Sequence, residues 1–236
     1  LNGVDYNIWD PKTHSPIYFN YDVNSLENKV ENKKALLKSV NLPYNPDTLL
    51  VGIISRLAEQ KGFDIISNVI SEMLKMNLQI ILLGTGDPQY HKFWQDTVKK
   101  HPKQISANLI FDEDLAHKIE AASDIFLMPS RFEPSGLNQL YSLRYGTVPV
   151  VRKTGGLADT IVDFVEDPEN GNGFVFEAYD GKAMLAALQN AVKTYSDRKT
   201  WKTIQERGMQ ADFSWKAASL NYLELYNDMI EKKVSG

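Results

Sequence analysis

Arg56, Lys61 and Glu133 are the side chains whose type and position suggest chemistry. Glu133 follows an apolar run, Ile125-Phe126-Leu127-Met128, that stops at Pro129; it precedes Pro134-Ser135-Gly136 and a helical pattern through Leu137, Leu140 and Tyr141. A strand that gives way to a helix through such a turn aims unbonded N–H groups and the positive end of the helix dipole beyond the strand, where an anion is the natural guest. A carboxylate there repels phosphate, so unless it merely caps the helix it must face hydrogen-bond donors such as sugar hydroxyls. Arg56 and Lys61 bracket the loop after an earlier strand. A cation at or next to the first turn of a helix is opposed by the dipole by roughly 0.3 to 1 kcal/mol at an exposed site. That misplacement makes sense if a phosphate lies between the two charges.

Other signals are weaker. Gly84-x-Gly86 and Gly155-Gly156 continue neither as a dinucleotide fingerprint nor as a P-loop. A tight turn with positive φ is the first reading of each, and close approach of backbone to a ligand the second. Asp112-Glu113-Asp114 spells the Asp-x-Asp by which many sugar-nucleotide enzymes hold a divalent metal, but it precedes a helix, where acidic caps are favoured. We assign no metal site. His14, His91, His101 and His117 lack zinc-motif spacing, and the absence of cysteine excludes disulfides, thiolate metal sites and a cysteine nucleophile.

The elements that must position these residues alternate. Apolar strand-length runs at Thr48–Ile54, Leu78–Leu83, Ile105–Phe111, Asp124–Met128, Val148–Val151 and Gly173–Phe176 are separated by helical patterns starting near Lys61, after Pro88, and at Glu113, Ser135 and Leu157. From Gly181 the chain reads as helical to its end, broken near Ser196-Asp197 and from Gly208 to Phe213. Such alternation predicts an α/β fold, a Rossmann-like doubly wound parallel sheet of about six strands, with ligands beyond the strands' C-terminal ends. The candidate residues all fall in strand-to-helix loops. Leu26 to Val40 reads as an exposed helix ended by Pro43 and Pro46. On the last helix Leu225, Ala218, Met229, Tyr222, Trp215, Tyr226, Ile230 and Leu223 share an arc of roughly 160°, wider than the approximately 100° stripe of a helix packed on one surface. Such a helix either touches two bodies or is sunk deeply into its own domain.

Charged residues make up 24% and hydrophobic ones 43%, ordinary for a globular chain, and no apolar stretch approaches the roughly 20 residues of a membrane span. A net charge of −4 with scattered lysines argues against a nucleic-acid partner. The opening Leu1-Asn2-Gly3 reads as cut from something longer.

The run from Pro129 to Tyr141, with Tyr145-Gly146-Thr147-Val148-Pro149 and Arg152-Lys153-Thr154-Gly155-Gly156-Leu157-Ala158-Asp159-Thr160, resembles bacterial glycogen synthases and plant starch synthases, the ADP-glucose-dependent GT-B glycosyltransferases of family 5. The resemblance extends to Leu1-Asn2-Gly3-Val4-Asp5, Ser55-Arg56-Leu57, Gln60-Lys61-Gly62, Leu83 to Pro88 and Asp212-Phe213-Ser214-Trp215, and so covers nearly the whole chain as the C-terminal half of these enzymes. Lys153-Thr154-Gly155-Gly156-Leu157 also spells a motif that the family carries near its N-terminus, but its place after Glu133 assigns it to the C-terminal glycine loop.

The resemblance implies half of a GT-B fold that binds ADP-glucose without a metal or other cofactor, for glucosyl transfer with retention to an α-1,4-glucan. Arg56 and Lys61 would grip the diphosphate and Glu133 the glucose hydroxyls. Ser135, Gly136, Leu137 and Asn138 would form the turn against glucose and phosphate, Gly84 and Thr85 would border the donor, and Phe111 would lie on the adenine. The family often has tyrosine at Phe111 and cysteine at Ser135, and Tyr141 stands where the wider superfamily often has a second glutamate. It implies residues 1–24 as an interdomain segment, 25–213 as the donor domain and 214–236 as a helix packing partly on an N-terminal domain that these residues do not include. The location expected is cytoplasmic for a bacterial source and plastid stroma for a plant one. A UDP-sugar-dependent GT-B enzyme and a stand-alone nucleotide-binding module remain the alternatives.

Overall fold

The computed structural model describes residues 2–13 and 16–234. Six strands, β1 (Leu49–Ile54), β2 (Leu78–Leu83), β3 (Ile105–Asn108), β4 (Ile125–Met128), β5 (Val148–Arg152) and β6 (Phe174–Phe176), form one sheet in the order β3-β2-β1-β4-β5-β6, all neighbours parallel. Nearly every residue of β1 and β2 is buried, as expected for strands covered by helices on both faces. The order reverses between β1 and β4. At such a switch point the loops leaving the two strands diverge to opposite faces and leave a crevice between them.

The helices are α1 (Asn28–Ser39), α2 (Phe63–Met73), α3 (Pro88–Lys100), α4 (Glu113–Ala122), α5 (Asn138–Arg144), α6 (Gly155–Thr160), α7 (Gly181–Tyr195), α8 (Arg198–Gln210) and α9 (Trp215–Val234), with a 3-10 turn at Glu59–Lys61 before α2. Aspartates start three of them. Asp112, Asp180 and Asp197 each accept first-turn N–H groups, which spends the Asp112 carboxylate of the Asp-x-Asp run on α4.

Three boundaries differ from expectation. β3 ends at Asn108, so Phe111 sits in a loop and is 87% exposed. Helix α5 starts at Asn138 instead of Ser135, because Gly136 takes a left-handed φ of 68° that no helix accommodates. Gly208 lies inside α8, where its missing side chain admits Leu143 of α5.

Helix α1 corrects the expectation of an exposed helix. Leu36 and Leu37 are fully buried, as are Lys29, Asn32 and Lys33. Lys29 Nζ donates to the carbonyls of Glu120 and Ala121 at 2.9 and 3.1 Å and to Thr147 Oγ1 at 2.6 Å, placing a cation on the carbonyl end of α4. Lys33 Nζ meets Asp124 Oδ2 at 2.6 Å, Thr48 O at 2.6 Å and Tyr195 OH at 3.2 Å. Residues ahead of α1 belong to the same body. Ile17 and Tyr21 are buried, and Tyr21 OH donates to Tyr145 O at 2.7 Å.

Val4 pairs with Ser214 ahead of α9. Beyond the buried Ala218, α9 leaves Trp215, Leu220, Tyr222, Leu223, Tyr226 and Met229 between 44% and 60% exposed. The side chains of Leu225 and Ile230 lie outside the described residues, as does His14.

Candidate functional site

The loops after β1 and β4 meet at the switch point. Arg131 N–H donates to Gln60 O at 2.8 Å, and Gln60 Nε2 donates to Phe132 O at 3.3 Å, so the turn before α2 is sewn to the loop that carries Glu133. Lys61 Nζ lies 2.6 Å from Glu133 Oε2, and Ser130 Oγ donates to the same oxygen at 3.1 Å. Glu133 is buried, and Lys61 keeps 24% of its side chain exposed. An ammonium has three protons and this contact uses one. Both named contacts fall on Oε2, which leaves Oε1 to accept from a guest. Arg56 is exposed, with Nη2 3.3 Å from Gln60 Oε1.

Across the crevice, Asn138 Nδ2 donates to Ile54 O at 2.8 Å and ties the start of α5 to the end of β1. Gln139 Nε2 donates to the Ser135 and Gly136 carbonyls at 3.1 and 3.3 Å, holding the turn between Glu133 and α5 from behind. Gly155 and Gly156 bring the start of α6 against this turn: Gly156 N–H donates to Glu133 O at 3.1 Å, and a Cβ on either glycine would strike the backbone of Glu133 or Ser135. Of the two readings of that pair, the positive-φ turn holds at Gly155, with a φ of 46°, and the close approach found is to the chain's own backbone at Glu133 and Ser135. Gly84 has a φ of 159°. It lies so near Ser55 O that no Cβ fits.

Two adjoining cavities result. One, about 190 Å³, is lined by Arg56, Lys61, Pro129, Ser130, Glu133, Gly136, Leu137 and Asn138, among others. The other, about 470 Å³, is lined by Trp9, Leu83, Gly84, Thr85, Ile110, Phe111 and Asp112, among others. They share Ile54, Ser55, Arg56 and Asn138. One is small, polar and charged; the other is larger and edged by aromatic and apolar side chains. Nine of the ten residues singled out from sequence thus converge. Ser135 lines neither cavity, and its hydroxyl is buried without a partner among the described residues.

Sequence reasoning missed Trp9 and Ser130. Trp9 stacks on Tyr141 with ring centroids 3.8 Å apart and planes 1° from parallel, and on His117 at 3.9 Å. Tyr141, noted as standing where a second glutamate is common, is therefore part of an aromatic wall. Asp10 secures Trp9 by an ion pair with Arg144 at 2.6 Å. No periodicity announces Trp9, since its partners lie more than a hundred residues away. His91 Nε2 accepts from Gly86 N–H at 3.1 Å and fixes the Gly84–Gly86 loop. At the rim, Arg131 pairs with Glu59 at 2.7 Å and lies over Tyr179, whose hydroxyl is pushed up to about 12 by burial and by its bond to Asp64.

Comparison with known proteins bears on the family and the fold. The family model for glycosyl transferases group 1 matches residues 37–207. The chain is 48% identical over 234 residues to the glycogen synthase of Thermosipho africanus, covering 99% of this chain and 48% of that protein, and 45% identical over 232 residues to the glycogen synthase of Clostridium novyi, covering 98% and 48%. The catalytic domain of starch synthase IV from Arabidopsis thaliana, solved bound to ADP and acarbose, superposes with a TM-score of 0.91 at 36% identity over 98% of this chain and 48% of that one. The chain spans about half the length of the curated relatives it matches. It belongs to the glycosyl transferases group 1 family, with bacterial glycogen synthases and plant starch synthases as its relatives.

Proposed function

We propose that this chain is the donor-binding half of a retaining glucosyltransferase that moves glucose from ADP-glucose to the non-reducing end of an α-1,4-glucan. The observation that carries this reading is the pair of joined cavities, in which Arg56 and Asn138 form the shared wall between the Lys61–Glu133 pair and the pocket edged by Phe111. In this reading the adenosine occupies the larger cavity against Phe111, with Gly84 and Thr85 at its border. The diphosphate lies by Arg56 and Lys61, and the glucose hydroxyls donate to Glu133 Oε1. Gly136, Leu137 and Asn138 offer backbone N–H groups from the turn.

As the bond between glucose C1 and the phosphate oxygen breaks, negative charge grows on ADP. Arg56 and the two uncommitted protons of Lys61 act more strongly on that growing charge than on the bound donor, which lowers the barrier. Glu133 keeps Lys61 in place while it orients the sugar. These side chains meet the charge themselves, so no metal enters the proposal. The glucan hydroxyl attacks from the face that ADP leaves. A relative's structure described as bound to ADP and acarbose supports this choice of ligands.

The acceptor and the opposite wall belong to the other half of the protein, an N-terminal GT-B domain. Residues 1–24 are then the segment arriving from that second domain, packed here on the donor domain of 25–213, and the exposed apolar residues of α9 pack partly on the second domain. By itself the chain binds ADP and transfers nothing. Calorimetric titration with ADP and UDP, run beside a transfer assay with and without the second half, tests this. ADP is expected to bind more tightly, with transfer restored only by joining the halves. Preference for UDP overturns the donor assignment, and transfer by the chain alone overturns the division of labour.

A further inference from the structure

Glu120, in the last turn of α4, is a buried acid with no part in the chemistry above. Its Oε2 lies 2.9 Å from Ser142 Oγ, and that hydroxyl lies 2.9 Å from the Asn138 carbonyl. A serine hydroxyl has one proton, and an ionised Glu120 and a carbonyl are both acceptors only. Two oxygens at that distance with no proton between them repel. Both contacts are satisfied together when Glu120 carries a proton and donates it to Ser142 Oγ, while Ser142 donates to Asn138 O. Glu120 Oε1 is buried without a partner among the described residues, which suits a neutral carboxyl and not an anion.

The surroundings agree. Lys29 faces Glu120 from α1, but its three ammonium protons are taken by the Glu120 and Ala121 carbonyls and Thr147 Oγ1. Burial draws Lys29 down to about 7. Tyr21, from the segment before α1, Tyr141, from α5, and Tyr145, just after α5, also face the carboxyl, and all three phenols are raised first by burial. His117, one turn earlier on α4, meets Tyr145 OH at 3.0 Å. Desolvation pushes Glu120 up to about 8.

We propose that protonated Glu120 is a positioning residue, which through Ser142 holds the first turn of α5, and with it Asn138, against the end of β1, so that donor binding weakens as Glu120 ionises. When Glu120 loses its proton to solvent, the Ser142 proton turns to the carboxylate. Bare lone pairs then face Asn138 O, and the first turn shifts to relieve them. The inference rests on the nucleotide-binding reading above, since Asn138 lines both cavities.

The test is ADP affinity of the 236-residue chain between about pH 7 and about pH 9, where the ADP phosphates are already ionised. A one-unit upward displacement of Glu120 by the ligand, from about 8, makes affinity fall about fivefold across that range. Glu120→Gln, whose amide donates to Ser142 at every pH, is expected to hold the neutral-pH affinity throughout. If Glu120→Gln keeps the native slope, the proposal is overturned. Should the native chain bind no ADP at any pH, the nucleotide reading fails instead. Amide exchange over residues 139–144, corrected for intrinsic rates, then decides the positioning role: it must accelerate with pH in the native chain and not in Glu120→Gln. If that variant does not fold, infrared spectroscopy of the native chain serves, because a protonated-carboxyl band at neutral pH is required and its absence overturns the idea.

Discussion

Lys61 and Lys29 each bring an ammonium within 2.6 Å of an oxygen, yet they do different work. Lys29 lies in the helical layer against the carbonyl end of α4, and every one of its protons is spent on the protein. Lys61 lies at the mouth of the sheet, spends one proton on Glu133 and has two left. The two acids differ as well, one facing a cavity and the other buried as a neutral carboxyl. Glu133 has an oxygen to offer at a cavity, while Glu120 is sealed behind α5 with its second oxygen unpartnered. A charge that the fold satisfies completely is structural, and a charge satisfied in part at the carboxyl ends of parallel strands is available to a ligand.

The largest test of that division is catalytic. In a protein carrying both halves, Arg56→Ala or Lys61→Ala is expected to lower the transfer rate by about 10² to 10³, with melting temperature near native for the exposed Arg56; steady-state kinetics beside a thermal scan checks both. Lys29→Met should do the reverse. It removes a donor from the Glu120 and Ala121 carbonyls and from Thr147 Oγ1 and lowers unfolding free energy by about 2 to 4 kcal/mol, measured in urea, while ADP affinity of the folded chain stays near native. A Lys29 variant that loses ADP binding but not stability would erase the distinction.

Glu120 sharpens it further. The acid is raised from 4.5 to about 8 by burial, so between those values the folded chain holds a proton that the unfolded chain has released. Its stabilising contribution is therefore whole at low pH and is lost as pH rises toward about 8. Over the lower part of that range, where Lys29 is charged in both states, stability should fall by up to about 1.4 kcal/mol per pH unit from this group. Chemical denaturation of the native chain and Glu120→Gln at several pH values isolates the slope, and equal slopes would contradict the burial argument. The smallest effect is at the rim. Phe111 is almost wholly exposed, so Phe111→Ala should leave stability unchanged and weaken ADP by about 1 kcal/mol of lost stacking, as read by calorimetry.

Much of this was legible in the residues. Continuous apolar runs such as Leu49–Ile54 and Leu78–Leu83 require burial on both faces, and with helices between them that dictates a parallel doubly wound sheet whose functional loops lie at the strands' carboxyl ends. A cation before a helix and a carboxylate in a Pro-Ser-Gly turn are local oddities, and local oddities can be read from sequence. Burial of α1 could not, since its lysines and asparagine look like a solvent face until Asp124, Thr147 and the end of α4 arrive to satisfy them. Nor could Trp9, whose stack on Tyr141 depends on chain closure across more than a hundred residues.

By itself, then, the sequence determined the order of strands and helices and the loops in which the charged groups fall, because periodicity and turn chemistry act over a few residues. Tertiary structure alone decided which charges meet. Lys61 on Glu133, Asn138 on Ile54 and Glu120 behind Ser142 are pairings set by crossing at the switch point between β1 and β4 and by helix packing, where residues far apart in the chain share one desolvated space.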